Sequence, residues 1–501
     1  MANPYRRALA YPFMLALGLT FGCTTQEEVN PTNLSQSSVS DAKADSEKPN
    51  LRLKSNQYII LSSSNSLPAD LDRQMASVNG KVTSLLREAG VAVATSTDPD
   101  FARKAAKISG VGSVIRDVEV QWFDPAKEKV AGIEAAYGNP PASGDNDFYF
   151  DLQWGHTAIQ APAAWNAGAR GKGVRVAVLD SGFDLDHPDL APNIDLAASA
   201  NFVPGELLQY GLPDVGSHGS HTAGTIAAAD NGFGTIGVAP EAKLILVKVL
   251  NDAGSGSFSW ILNGIIHAVN QGADVINMSL GVTLPRNGKF LDDNNTPDDP
   301  TDDFIVSDTK ATQELINAIS KVTTYAYQQG VTVIASAGNE ANNGNKDGSN
   351  VKMPADAPHV ISISATAPIG WAKAPFSTNF DNLASYSNFG TSAIDFAAPG
   401  GDYAYPNFDI ATIAGVRQYV YVFDYVFSTG NNGWYWSVGT SMAAPHATGV
   451  AALIIGKNGG NMDPAKVETA LRASADDIGK PGRDPYFGHG RVNAYRAVTS
   501  L

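Results

Sequence analysis

Val174-Arg175-Val176-Ala177-Val178-Leu179 is an almost unbroken apolar run that ends on Asp180-Ser181-Gly182. A strand that is apolar on both faces has to be covered on both, which points to a parallel sheet between two layers of helices. The pattern recurs downstream. Leu244 to Leu250 precedes a glycine- and serine-rich turn and an apolar stretch reaching Gln271. Val275-Ile276-Asn277-Met278 leads into Ser279-Leu280-Gly281, and Val331 to Ala335 leads into Ser336-Ala337-Gly338-Asn339. Strands alternating with helices, each strand ending on polar residues, predict a three-layer α/β/α domain with a mainly parallel sheet over residues 148–501. Such sheets gather their chemistry at the carboxyl ends of the strands, where Asp180 and Asn339 stand. Alone, an aspartate there is more often a turn residue.

Gly439-Thr440-Ser441-Met442-Ala443-Ala444-Pro445 runs into apolar residues as far as Ile455, which reads as a helix with a serine at its start. The N–H groups of that end favour a developing negative charge. Pro445 is expected in the first turn, where a missing N–H has no consequence. An isolated serine at such a place usually caps the helix. It becomes a nucleophile only if a base removes its proton. Ser217-His218-Gly219-Ser220-His221-Thr222 offers one: His218 stands at a helix edge, with His221 packed one turn further in. A zinc pair made by these two histidines would need further ligands, and no cysteine is near.

Asp180-Ser181-Gly182, the His218 segment, Ala337-Gly338-Asn339 and the Ser441 segment resemble, in this order, the Asp, His, oxyanion-Asn and Ser motifs of the subtilisin-like serine proteases (subtilases). The resemblance runs from Gln153 to the end and closes on Gly488-His489-Gly490-Arg491-Val492-Asn493-Ala494; Ser220 departs from the usual threonine. It implies an endopeptidase acting on proteins or peptides, with Ser441 as nucleophile, His218 as base and Asp180 orienting the imidazole. Asn339 and the Ser441 N–H would receive the oxyanion. The resemblance also implies two backbone edges flanking the substrate, Gly254-Ser255-Gly256 and Ser279-Leu280-Gly281, which would hold it as an added strand. Phe258 would line a pocket for the fourth residue before the cut. Asp189, with Ala229, Asn231, Phe233 and Thr235, resembles a structural calcium site whose N-terminal ligand has no clear match.

The first 147 residues read differently. Arg6 and Arg7 precede an apolar run from Ala8 to Gly22, which predicts a signal peptide over 1–22 and is short for a membrane span. Cys23 is the only cysteine, which excludes an intrachain disulfide. Leu19-Thr20-Phe21-Gly22-Cys23 resembles a bacterial lipobox with threonine at a position usually held by leucine. That implies acyl chains on Cys23, an exported surface protein, and contact with the membrane through the lipid alone. Residues 23–55 are polar and aperiodic and predict a disordered tether. Residues 56–123 predict a small α+β unit: a strand at Tyr58–Leu61, a helix over Leu71–Ala89, a strand at Val91–Ala94, a helix over Asp100–Ile108, and strands at Val111–Ile115 and Val118–Phe123. Its place ahead of a protease-like body resembles an inhibitory propeptide acting within the chain. Residues 124–147 form an acidic linker where processing is expected.

A net charge of −15 argues against a nucleic-acid partner, and the enzyme is expected to be a monomer. Two insertions read as long loops near the cleft. Residues 284–310 carry Asp292, Asp293, Asp298, Asp299, Asp302 and Asp303, and residues 402–436 are rich in Tyr, Phe and Trp. The acidic one is expected to favour basic substrates, to bind another cation, or to be a solvated loop. The alternatives to a broad protease are a narrow-specificity processing enzyme and a catalytically silent surface-binding protein.

Overall fold

The computed structural model describes residues 51–64, 66–123, 129–133 (backbone only), 146–294 and 301–500. The signal run, Cys23, the tether up to residue 50, most of the linker, and Asp298 and Asp299 lie outside these residues.

The N-terminal domain begins at Leu51, within the stretch expected to be tether. Strand β1 (Leu51–Ser62) is followed by helix α1 (Leu71–Ala76), β2 (Lys81–Leu86), β3 (Val91–Thr95), helix α2 (Phe101–Ala105) and β4 (Val111–Gln121). The long helix expected over 71–89 is therefore a short helix and a strand. Asn79-Gly80 breaks it: Asn79 takes a left-handed φ of 65°. A side chain at Gly80 would run into the Phe101 ring, so the turn seats directly on α2. The two strands expected near the end of the domain are one, β4. The four strands pair antiparallel in the order β2-β3-β1-β4, and Leu71, Met75 and Phe101 pack on Ile60, Ala92 and Ala94 beneath them. Within the expected linker, β5 (Lys129–Ile133) is a further strand.

The body is built on a mostly parallel sheet. In chain order its relevant elements are β6 (Arg175–Asp180), β7 (Ala200–Asn201), α3 (His218–Ala227), β8 (Lys243–Lys248), β9 (Ser255–Ser257), α4 (Phe258–Asn270) and β10 (Val275–Met278). A hairpin follows, β11 (Lys289–Asp292) and β12 (Phe304–Ser307), then α5 (Thr309–Gln328), β13 (Thr332–Ser336), β14 (Val360–Ala367), β15 (Asn382–Leu383) and β16 (Phe396–Pro399). Hairpin β17 (Val426–Thr429) and β18 (Trp434–Ser437) leads into α6 (Thr440–Lys457). The sheet order is β15-β14-β13-β10-β6-β8-β7, with β16 also paired to β14, and only β15 runs antiparallel. Alternate residues of β6 serve opposite layers: Val176 and Val178 join the core under α3 and α6, whereas Ala177 and Leu179 join the one under α4 and α5. That is the three-layer α/β/α arrangement expected.

β13, β10 and β6 are neighbours, so Asn339, Ser279 and Asp180 leave the same edge of the sheet side by side. Helix α6 is buried from Thr440 to Ile455 and packs against α3. Much of the 402–436 insertion is core rather than free loop, since Val420, Val422, Phe423, Phe427 and Trp436 are buried among α3 and α6. Among the described residues no helix is long and apolar enough to cross a membrane.

Candidate active site

Asp180 ends β6 fully buried, and its Oδ1 lies 2.7 Å from Nδ1 of His218, the first residue of α3. The carboxylate is fixed by two further donors, the Ser181 N–H at 2.7 Å and the Thr222 hydroxyl at 3.1 Å. α3 can start at His218 because Ser217 caps it, accepting the Ser220 N–H. His221, three residues on, points elsewhere: its Nε2–H donates to the Val426 carbonyl at 3.1 Å. Burial, then the neighbouring His218, pushes its pKa down to about 3, so it is neutral and structural. Among the described residues no group of three or more His, Cys, Asp and Glu side chains is placed to hold a metal.

Ser441 is the second residue of α6, and its Oγ donates to the Ser279 carbonyl at 3.2 Å. Pro445 lies in the second turn of the helix rather than the first, four residues beyond Ser441. It therefore deprives the Ser441 carbonyl of its helical N–H donor. The Ser279 hydroxyl takes that place, donating to the Ser441 carbonyl at 2.7 Å. Ser279, read from sequence only as part of a substrate edge, is thus bonded in both directions to Ser441.

Asn339 is oriented through its oxygen. Oδ1 accepts the Thr440 N–H at 2.9 Å and the Thr440 hydroxyl at 2.8 Å, which turns the amide N–H₂ to the other side. A side chain on Gly439 would stand 3.3 Å from that nitrogen, so glycine keeps the space in front of it open.

The cleft holds a strand of the chain itself. β4 pairs antiparallel with β9, matching Glu119 with Ser257, Val120 with Gly256 and Gln121 with Ser255, and so becomes the fourth strand of a five-stranded sheet. The Trp122 N–H donates to the Gly254 carbonyl at 3.0 Å and its indole N–H to the Gly256 carbonyl at 2.8 Å. Gly254 has no side chain because one would collide with the Phe123 carbonyl. Phe258 is fully buried, its ring 5.5 Å from that of Trp122. The Phe123 ring stacks on the His218 imidazole at 4.1 Å. The second expected edge is engaged differently. Leu280 joins the apolar cluster of Trp122 and Phe258, but no strand pairing of β4 with Ser279, Leu280 or Gly281 occurs among the described residues. Beyond the cleft, β5 pairs antiparallel with β18, the strand that leads into Ser441.

The residues from 171 to 490 match the subtilase family profile. The chain belongs to the subtilase family. It is 35% identical over 353 residues to subtilisin E of Bacillus subtilis (strain 168), covering 70% of this chain and 73% of that one. Thermitase of Thermoactinomyces vulgaris is 32% identical over 356 residues, covering 70% of this chain and 98% of thermitase. Among solved structures, a lanthipeptide protease matches at 28% identity and a TM-score of 0.55 over 70% of this chain and 96% of its own. The epidermin leader peptide processing serine protease of Staphylococcus aureus has a similar fold, with a TM-score of 0.64 at 23% identity over 89% of this chain and 98% of its own. That coverage is more than residues 146–501 alone supply, so the likeness of fold extends into the N-terminal domain. As a subtilase the protein is a serine endopeptidase.

Two buried carboxylates beside the predicted positions have no assignment from sequence. Asp117 of β4 is fully buried and accepts the Ser259 N–H at 3.2 Å and its hydroxyl at 2.6 Å. It thereby caps α4 from the other domain, and burial pushes its pKa up to about 6. A lone acid on the inward face of an apolar strand was the available signal. The other is Asp147, whose Oδ1 accepts the N–H groups of Asn231 at 3.2 Å and Phe233 at 3.0 Å. It joins the loop of the expected calcium site, where no N-terminal ligand had been matched. Against that loop the Asp189 Oδ2 accepts the Thr235 N–H at 2.8 Å and the Trp434 indole N–H at 2.8 Å, while Asn231 Nδ2 is 3.5 Å from Oδ1. Burial pushes Asp189 up to about 6 despite these neutral donors. Two buried carboxylates and an amide, brought together from three segments of the chain, make an oxygen-rich donor set that fits calcium.

Proposed function

We propose that this subtilase is an exported endopeptidase made as a precursor, in which residues 51–123 silence a site formed by Ser441, His218, Asp180 and Asn339. The observation that carries the reading is the 2.7 Å contact between Asp180 and His218, with Phe123 of the N-terminal domain stacked on the same imidazole. Asp180 engages Nδ1, so proton transfer falls to Nε2. Ser441 Oγ attacks the peptide carbonyl carbon while His218 takes its proton. The carbonyl oxygen becomes an oxyanion received by Asn339 Nδ2–H and the Ser441 N–H. The C–N bond then breaks, the amine leaves with the proton from His218, and water hydrolyses the Ser441 ester by the same steps in reverse.

Occupation of the β9 edge by β4 supports self-inhibition, because a substrate would need the same main-chain groups. The test is Ser441→Ala in the full chain, expressed without another protease. The expected product is folded, uncut and unable to degrade casein; full processing of that variant would refute self-maturation.

Asp147, Asp189 and Asn231, with the carbonyls of Ala229, Phe233 and Thr235, would hold a calcium ion whose charge offsets the buried carboxylates. EDTA is expected to lower the melting temperature, and an unmoved one would exclude the ion. Export rests on Arg6, Arg7 and the apolar run before Gly22, whereas acylation at Cys23 rests on the lipobox-like sequence and would be excluded by failure to incorporate labelled palmitate. A narrow-specificity processing role is favoured by the likeness to the lanthipeptide protease. A peptide-library profile confined to one sequence motif would establish it over a degradative role.

A further inference from the structure

The acidic insertion is a built element, and it meets the N-terminal domain. β11 and β12 pair antiparallel from Lys289 with Ser307 to Asp292 with Phe304. At the hairpin's base Asp308 caps α5, and Gly288 passes so close to it that a side chain would strike the Asp308 backbone. Just past the end of β11, Asp293 receives Arg52 of β1 through two bonds, Nε to Oδ1 at 2.5 Å and Nη2 to Oδ2 at 2.7 Å. Both side chains are largely withdrawn from water, at 19% and 13% exposure. The bond to Asp293 holds the Arg52 guanidinium above its ordinary pKa.

The neighbouring contact is with backbone. β3 pairs with β1 only from Gln57 to Leu61. Before that, among the described residues, no strand lies beside the edge of β1 facing away from β4, and Asp292 Oδ2 accepts the Leu53 N–H at 2.9 Å. The second oxygen of Asp292 accepts the Asn294 N–H at 3.0 Å, so the carboxylate is held in place as a substitute ladder partner. The gripped residues lie next to the cleft: Leu51, Arg52 and Leu53 pair with Val120, Glu119 and Val118 of β4, whose other edge is on β9. β1 and β4 form a ribbon held by the hairpin on one side and the substrate edge on the other.

We propose that the β11–β12 hairpin is a lock for this chain's own N-terminal domain, in which Asp293 reads Arg52 and Asp292 reads the open edge of β1. The inference rests on the reading that residues 51–123 silence the site, and it gives the insertion a role other than steering basic substrates. A substrate that replaces β4 brings no second strand beside it, so the lock retains the cut domain without hindering substrate.

The full chain, refolded from denaturant, tests this with two simultaneous readouts: the cut, followed by gel, and activity on a chromogenic peptide. The wild-type chain is expected to be cut first and to become active after a lag. Asp293→Arg and Arg52→Asp should each shorten that lag at least about tenfold with little change in the cut, because a withdrawn charge pair is broken. The double variant Arg52→Asp/Asp293→Arg should restore the lag to within about twofold. Single variants with an unchanged lag, or a double variant as fast as the singles, would overturn the lock. So would a loss of about tenfold in preference for basic over neutral peptides in mature Asp293→Arg. A wild-type chain active with no lag would instead remove the self-inhibition reading. If Asp293→Arg does not fold, Arg52→Ala reads the same pair from the other side.

Discussion

Asp180, His218, Asn339 and Ser441 are held by side-chain bonds reaching in from β6, α3, α6 and the loop after β13. The strand laid across them is held mainly by main-chain pairing of β4 with β9. The first kind of bonding depends on each residue's identity. The second asks only for an extended backbone, so on the proposed reading a peptide of another sequence would take the place of β4. Beyond the ladder the N-terminal domain adds side-chain contacts of its own, among them those of Asp117, Gln57, Ser84 and Arg52.

The comparison breaks most visibly at Asn339. Asn339→Ala is expected to lower kcat by about 10²–10³, the scale for losing one oxyanion donor, while KM on a peptide substrate changes little. An equal loss carried by KM would place Asn339 in binding instead. Ser279→Ala comes next, because it leaves the buried Ser441 carbonyl without a donor at the place Pro445 created. Unfolding of the uncut Ser441→Ala chain should be easier by about 1–3 kcal/mol when Ser279→Ala is added, measured by denaturant titration. No change would mean that the serine bond carries no weight.

The smallest effect concerns the cover. Asp117 has a pKa of about 6 in the folded chain against 3.8 ordinarily, so between those values the folded state binds the extra proton. Its contribution to stability is therefore largest below about pH 4 and is lost as pH rises through 6. Asp117→Asn, in the uncut Ser441→Ala background, should remove a slope of up to about 1.4 kcal/mol per pH unit in that window. Parallel stability curves for the two chains would show that Asp117 does not titrate there.

Much of the body was legible because buried parallel strands write near-continuous apolar runs. The polar residue after each run marks the sheet edge where Asp180, Ser279 and Asn339 meet. The N-terminal domain was harder. Leu71, Met75, Val78, Val82 and Leu85 have helical spacing, and only Asn79-Gly80 signals that Val82 and Leu85 belong to a strand. Pro445 was placed one turn too early because the helix boundary depends on Gly439 and Thr440, whose partner Asn339 is about a hundred residues away. The acidic insertion is open to several readings from sequence because nothing local pairs Asp293 with Arg52, 241 residues earlier. Long-range contacts of this kind leave no local periodicity to read.

Covalent labelling of the matured chain with a fluorophosphonate probe tests the central claim most directly. The label is expected on the peptide containing Ser441, and only after the N-terminal domain has left; labelling elsewhere, or none in a fully released body, would contradict it.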